Sequence, residues 1–115
     1  MALYHNEQYD ESLAEYNKAL ALDPKDARTL FNRGNTYLAL KKIDLAHQDF
    51  DQAIEIMPAN AKFYHSKGLA FQDTLEYEKA ISQFKKALDV SSDHIPSLYH
   101  LGLMEHKNKQ LAAAL

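Results

Sequence analysis

The sequence predicts an all-α protein built from helix-turn-helix hairpins with a 34-residue period. Its three glycines, Gly34, Gly68 and Gly102, lie 34 residues apart. Apolar residues recur at steps of three and four, the spacing of one helical face. The 115 residues contain only three glycines and three prolines, too few turn-forming residues for a fold of many short strands.

Other residue types also recur every 34 residues, and each set of such equivalent positions is called a column below. A small residue follows each glycine by twelve positions, an aromatic ring follows the first two by sixteen, and two periods close with a proline. These columns are Ala46, Ala80 and Ala114, then Phe50 and Phe84, then Pro24 and Pro58. So many columns at one period indicate a structural repeat.

Each period divides into two amphipathic helices. Leu30, Gly34 and Leu38 share one face of the first helix, and Ala46, Phe50 and Ala53 share one face of the second. Proline follows the second helix, where it prevents continuation. The predicted helices are 7–22, 27–40, 43–56, 61–74, 77–90 and 95–108.

The recurring glycine needs a packing reason, because glycine in a helix interior costs up to about 1 kcal/mol relative to alanine. We expect the second helix of each hairpin to approach too closely for a Cβ atom. In the second hairpin, Gly68 and Ala80 are predicted to face each other, both buried.

The pattern Leu30-x2-Arg33-Gly34-x2-Tyr37…Ala46-x3-Phe50…Pro58, repeated as Tyr64-x2-Lys67-Gly68-x2-Phe71…Ala80-x3-Phe84, resembles the tetratricopeptide repeat. The resemblance covers nearly the whole chain and implies an α-solenoid with a right-handed superhelix. The departures are local. Ser12 replaces a small alanine, Ser92 replaces the proline, and Glu105 occupies an aromatic column.

The repeat period divides the chain into four parts. Residues 1–26 are a partial repeat that holds a second helix, and residues 95–115 are a partial repeat that holds a first helix. Two full repeats, 27–60 and 61–94, lie between them. Residues 1–6 match the tail of a first helix, and the chain is predicted to end one turn into another second helix. This pattern is typical of a segment of a longer array. The last four residues, 112–115, also match a tail left by an expression vector, and both interpretations stay open.

Without polar capping helices, both ends are expected to show apolar stacking faces, around Tyr9, Leu13 and Tyr16 at one end and Leu98, Leu101 and Gly102 at the other. We therefore expect self-association through the uncapped ends.

Composition and spacing argue against catalysis and cofactors. No cysteine is present, which excludes disulfides and thiolate metal sites. His94, His100 and His106 are spaced by six, which separates them on a helix, so no metal site is predicted. Asp49, Asp51 and Glu55 are expected on a solvated outer face. We predict no enzyme activity and no cofactor.

The resemblance implies that the first helices line a concave, peptide-binding groove. The groove columns are Arg28, Lys62 and Pro96; Phe31, His65 and Tyr99; Asn35, Leu69 and Leu103; and Leu38, Gln72 and His106. Phe31, Leu38 and Tyr99 are not needed for the predicted core, which favours a binding role over an ordinary helix surface.

The groove does not resemble the subfamily that clamps the acidic C-terminus of chaperones. Of its five basic and amide columns only Asn35 matches, because the others hold Phe31, Ser66, Pro96 and His100. The groove also lacks the row of asparagines by which some arrays bind an extended peptide backbone. Asparagine would be needed at positions 32, 66 and 100, and only Asn32 is present.

Charge differs between the two layers. The predicted first helices carry five basic and two acidic side chains. The predicted second helices carry four basic and ten acidic side chains. The formal net charge of the whole chain is −3. A groove ligand is therefore expected to be neutral to acidic, steered by Arg28 and Lys62.

The leading hypothesis is a cytoplasmic protein–protein interaction or scaffold module that binds an extended segment or a helix. A structural spacer that binds nothing is the alternative. RNA binding is a third, disfavoured by a pI near 6.0. Neither nucleic acid nor membrane is a predicted partner. The cytoplasmic assignment rests on the family and on the lack of a signal peptide at the start of the chain.

Overall fold

The computed structural model describes residues 2–114, with side chains described over 8–113. Six helices follow one another: α1 (Ala2–Leu22), α2 (Ala27–Ala39), α3 (Ile43–Ile56), α4 (Ala61–Asp73), α5 (Tyr77–Val90) and α6 (Ile95–Ala114). Residues 2–114 contain no strand. The predicted all-α class is confirmed, and the four central helices match their predicted bounds to within one residue.

The helices form two compact units. In unit 1, Met1–Pro58, α2 packs against both α1 and α3. In unit 2, Ala59–Leu115, α5 packs against α4 and α6, and α4 also contacts α6. Each unit thus contains one complete hairpin and one additional helix. Within the described residues, no helix is long and apolar enough to cross a membrane.

The two end helices are longer than predicted. α1 is helical from Ala2, and α6 continues to Ala114 instead of ending at 108. No turn therefore separates residues 2–6 from the rest of α1, and none interrupts α6 after residue 108, whereas the division into partial and full repeats stays a prediction.

The first helices of both hairpins begin and end in the same way. Asp26 caps α2 by accepting from the Thr29 backbone N–H, and Asn60 caps α4 by accepting from Lys62. At the opposite ends, Lys41 and Leu75 adopt left-handed backbone conformations, with φ of 63° and 61°. These two residues, 34 apart, close a Schellman-type turn, in which the backbone N–H of residues 42 and 76 bonds the carbonyl of residues 37 and 71.

Inside each hairpin a phenylalanine ring lies on a glycine. A Cβ atom placed on Gly34 would lie 2.7 Å from Phe50 Cε1, and one on Gly68 would lie 2.5 Å from Phe84 Cε1. Both rings are fully buried. The expectation that Gly68 and Ala80 are buried is correct, but the nearest atoms to Gly68 belong to Phe84, since the ring reaches over the small alanine column.

The third glycine has a different environment. Gly102 is exposed, and a Cβ atom there would meet nothing within 4 Å. The buried residue of this part of α6 is Met104, which packs with Ala80 and Phe84. The close approach at glycine thus occurs only in the two complete hairpins.

Gly68→Ala is expected to lower the free energy of unfolding by about 1–3 kcal/mol, because the added methyl group forces the buried Phe84 ring to move. Gly102→Ala is the matched control. It should raise stability by up to about 1 kcal/mol, since only helix propensity changes there. Chemical denaturation of both variants tests this, and an equal effect of the two substitutions would contradict the packing.

Leu75→Gly is expected to stabilise the protein by about 0.5–1 kcal/mol, because it relieves a left-handed backbone conformation at a side chain that is 69% exposed. Lys42→Gly, at a turn residue with φ of −91°, should not stabilise. Thermal unfolding compares the two variants, and a lower melting temperature for Leu75→Gly would contradict this account.

Candidate functional site

The predicted groove residues lie on first helices in both units. Unit 1 holds four of them on α2: Arg28, Phe31, Asn35 and Leu38. Unit 2 holds the other seven on α4 and α6: Lys62, His65, Leu69, Gln72, Tyr99, Leu103 and His106. Arg28, Lys62, Tyr99 and His106 are exposed, and the rest are partly buried.

Several of these residues also contribute to the core, which corrects the prediction that Phe31 is unnecessary there. The Phe31 ring packs against Phe50 with centroids 6.1 Å apart. In unit 2, Leu69 and Leu103 pack against the buried Phe84 and Met104 cluster. By contrast Tyr99, at 66% exposure, presents its ring to solvent.

Unit 2 gathers three histidines, His65, His94 and His100, which we name the histidine cluster. His65 comes from α4, His100 from α6, and His94 from the loop that precedes α6. The His65 ring centroid lies 5.0 Å from that of His100 and 5.5 Å from that of His94. The buried Phe84 ring supports the cluster, at 5.6 Å from His65 and 5.7 Å from His100.

Hydrogen bonds fix the protonation pattern of the cluster. His100 Nδ1 lies 2.8 Å from the Pro96 carbonyl oxygen, which can only accept, so this nitrogen carries a hydrogen. His65 Nε2 lies 3.1 Å from the same His100 nitrogen and therefore acts as an acceptor. His94 Nδ1 bonds the hydroxyl of the fully buried Ser97 at 2.7 Å. His65 is thus neutral, with its hydrogen on Nδ1.

Burial, reinforced by the neighbouring His100 and His94, lowers the pKa of His65 to about 4. Each cause disfavours the imidazolium form. In the ordinary unfolded chain a histidine titrates near 6.5, so the folded state holds His65 neutral across a range in which the unfolded state is protonated.

The sequence did not reveal this cluster, because helical spacing relates only histidines that lie on the same helix. His65 and His100 are 35 residues apart, one more than the period, which places them on adjacent first helices. That offset was the available signal. His106, the third of the evenly spaced histidines, is exposed.

Asp49 also departs from its predicted place on a solvated face. It is 2% exposed, and both of its oxygens accept from Arg33, at 2.8 Å from Nε and 2.7 Å from Nη2. Arg33 Nη1 donates to Asn17 on α1 at 3.0 Å. This bond network joins α1, α2 and α3, whereas Asp51 and Glu55 are exposed as predicted.

The carboxylate of Asp49, buried among the described residues, is paired with Arg33. Over the described residues, no group of three or more potential ligands has the arrangement needed to hold a metal ion. The buried carboxylate is used for structure. The chemistry that remains is that of aromatic, imidazole and basic side chains on the first helices.

The predicted stacking faces are only partly open. Tyr9, Leu13 and Tyr16 are partly buried, and Leu98 is 49% exposed. A separate cleft of about 450 Å³ in unit 2 is lined by residues including Leu75, Tyr77 and Leu111. Self-association through the ends stays a prediction.

Comparison with known families decides the identity of the repeat. Models of the tetratricopeptide repeat match residues 27–60 and 61–94, and a further TPR repeat model matches 2–41. The chain belongs to the tetratricopeptide repeat family. As in the similar tetratricopeptide repeat structures, the described residues form helices and no strand.

Relatives carry this repeat within longer proteins. The chain is 33% identical over 86 residues to the Hsp70-Hsp90 organizing protein of Triticum aestivum, which covers 75% of this chain and 15% of that protein. Across the first three curated relatives, the chain spans between 9% and 26% of their length.

Solved structures share the fold. The first TPR of Spaghetti (RPAP3), bound to the HSP90 peptide SRMEEVD, superposes with a TM-score of 0.84 at 23% identity and covers 92% of this chain and 84% of that one. MamA 41-end from Desulfovibrio magneticus RS-1 gives a TM-score of 0.81 at 27% identity, covering 98% and 64%.

The lowered pKa of His65 predicts that the stability of the folded protein depends on pH. Because the unfolded state binds the proton first, stability should fall as the pH decreases from about 6.5 toward 4. His65→Gln should reduce this fall, and His106→Gln should leave it unchanged. Melting temperatures at pH 7.5 and 5.0 measure the difference, and an unaltered pH dependence in His65→Gln would be inconsistent with the pKa assignment.

Proposed function

We propose that the chain is a non-catalytic protein-interaction module that binds an extended segment or a helix of another protein. The proposed contact residues are the eleven groove residues on α2, α4 and α6. The observation that carries the proposal is their composition: aromatic, aliphatic, amide, imidazole and basic side chains, with no carboxylate among them.

Family membership supports an interaction role. The wheat relative is named for organizing Hsp70 and Hsp90, and the Spaghetti repeat was solved with an HSP90 peptide on it. Neither observation identifies the partner of this chain. The peptide on the Spaghetti repeat supports the proposal that this chain also binds a peptide segment.

Charge supports a partner that is neutral to acidic. Arg28 and Lys62, one on each unit, are exposed at the same repeat position. Positive charge on a binding face increases the rate at which acidic partners associate. Most acidic side chains, by contrast, lie on α1, α3 and α5, which carry none of the groove residues.

The clamp columns favour a ligand that is recognised by its side chains. Phe31, Ser66 and Pro96 lack the basic and amide groups that the clamp subfamily has in these positions. The exposed Tyr99 ring and the partly exposed leucines supply apolar contact area instead. We therefore propose an internal segment with acidic and apolar side chains as the partner.

The proposal is tested by panning a phage library of random dodecapeptides against the chain and measuring the selected peptides by fluorescence anisotropy. Enriched peptides should contain Asp or Glu beside apolar residues. Arg28→Glu with Lys62→Glu should weaken binding at least tenfold, which corresponds to about 1.4 kcal/mol.

Lys85→Glu with Lys86→Glu reverses two exposed charges on α5 and is the matched control, expected to change affinity little. A library without an enriched sequence favours the spacer alternative. Enriched peptides that bind the Arg28 and Lys62 variant with unchanged affinity would refute the proposed face. Single-stranded RNA oligonucleotides, tested in the same assay, should not bind.

A further inference from the structure

We propose that the histidine cluster of unit 2 is a carboxylate-binding site, which takes up a proton when an acidic segment binds. This inference rests on the proposed function and names one subsite and its ligand chemistry. The ligand group is the side chain of a Glu or Asp in the bound segment.

The cluster brings three imidazole side chains together without a carboxylate partner. Among the described residues, no acidic side chain forms an ion pair or hydrogen bond with His65, His94 or His100. Asp93, next to His94 in sequence, accepts from the Ser91 hydroxyl at 2.8 Å instead. An anion is therefore the chemical complement that the cluster lacks.

The groups that surround His65 on every side are neutral or basic. On its own helix, Lys62 lies one turn earlier. From α5 it meets the Phe84 ring, from the preceding loop His94, and from α6 His100, whose ring in turn contacts Tyr99. A proton added to His65 in the free protein thus finds no stabilising charge.

The hydrogen-bond geometry links the proton to the ligand. His100 Nδ1–H already points at the Pro96 carbonyl and at His65 Nε2, so a second hydrogen on Nε2 would place two donors 3.1 Å apart. A carboxylate oxygen at this position supplies the missing acceptor. The solvent proton then stays on His65 Nε2, the ligand carboxylate stays ionised, and a charge-assisted hydrogen bond joins them.

Neighbouring side chains suit a peptide rather than a free anion. Tyr99 presents an exposed ring beside His100, with the two centroids 5.2 Å apart. Leu69 and Leu103 are partly exposed on the same two helices. An acidic residue next to an apolar one would satisfy both the cluster and these surfaces.

Proton uptake makes two properties respond to pH in opposite directions. Lowering the pH destabilises the free unit, because His65 resists protonation, but it strengthens binding of a carboxylate, because the complex holds the proton more tightly. A surface that merely had positive charge would not show this pair of opposite responses.

The test uses the full chain and two amidated peptides, SRMEEVD and its carboxylate-free analogue SRMQQVN, so that only side-chain carboxylates differ. NMR titration follows the imidazole resonances and gives the affinity at pH 6.0 and 7.5. For SRMEEVD we expect at least threefold tighter binding at pH 6.0, within the tenfold limit per pH unit of one linked proton, and a raised pKa of His65. SRMQQVN should show neither effect.

His65→Gln and His100→Gln should each remove the pH dependence of binding, whereas Lys86→Gln on α5 should retain it. Circular dichroism confirms folding, and two independent histidine variants protect the test against misfolding of one. Equal affinity for SRMEEVD at both pH values, or no binding at millimolar peptide, would overturn the inference. The library selection decides the proposed function separately, because its readout does not depend on pH.

Discussion

The close contact between a phenylalanine ring and a helical glycine is the constraint on which each hairpin depends. Phe50 lies against Gly34 and Phe84 against Gly68, both at distances that exclude a Cβ atom. The glycine lets the two helices approach, and the ring fills the space that the missing side chain leaves. In unit 2 the same Phe84 ring supports His65 and His100, so the contact that holds the hairpin together also positions the candidate site.

Equivalent positions of the two hairpins carry different polar chemistry. In unit 1, Arg33 and Asp49 form a bidentate ion pair, and the hydrogen bonds from Arg33 to Asp49 raise the pKa of the guanidinium. The planar Arg33 group also reaches Asn17, which a lysine ammonium could not do with the same geometry. One period later the pair is Lys67 and the buried Gln83. Unit 2 instead places its distinctive polar groups in the histidine cluster.

The core and the proposed binding surface share residues in this protein, because a short amphipathic helix has too few residues to separate them. Phe31, Leu69 and Leu103 each pack against the interior and still remain partly exposed. Substitutions there are expected to change stability together with any binding. The exposed Arg28, Lys62 and Tyr99 contribute little to the packing, so substitutions there test the proposed binding by itself. His65 is partly buried, so the proposal links its titration to both stability and binding.

The sequence by itself determined the helix period, the phase of the hairpins and the buried alanine and phenylalanine columns. These features follow from local periodicity, which a single repeat already encodes. Tertiary structure decided the rest. It buried Asp49 against Arg33, left Gly102 without a facing ring, and continued α1 and α6 through their expected turns. It also assembled His65, His94 and His100 from two helices and a loop, since such contacts depend on how neighbouring elements pack in space, and spacing along one helix does not contain that information.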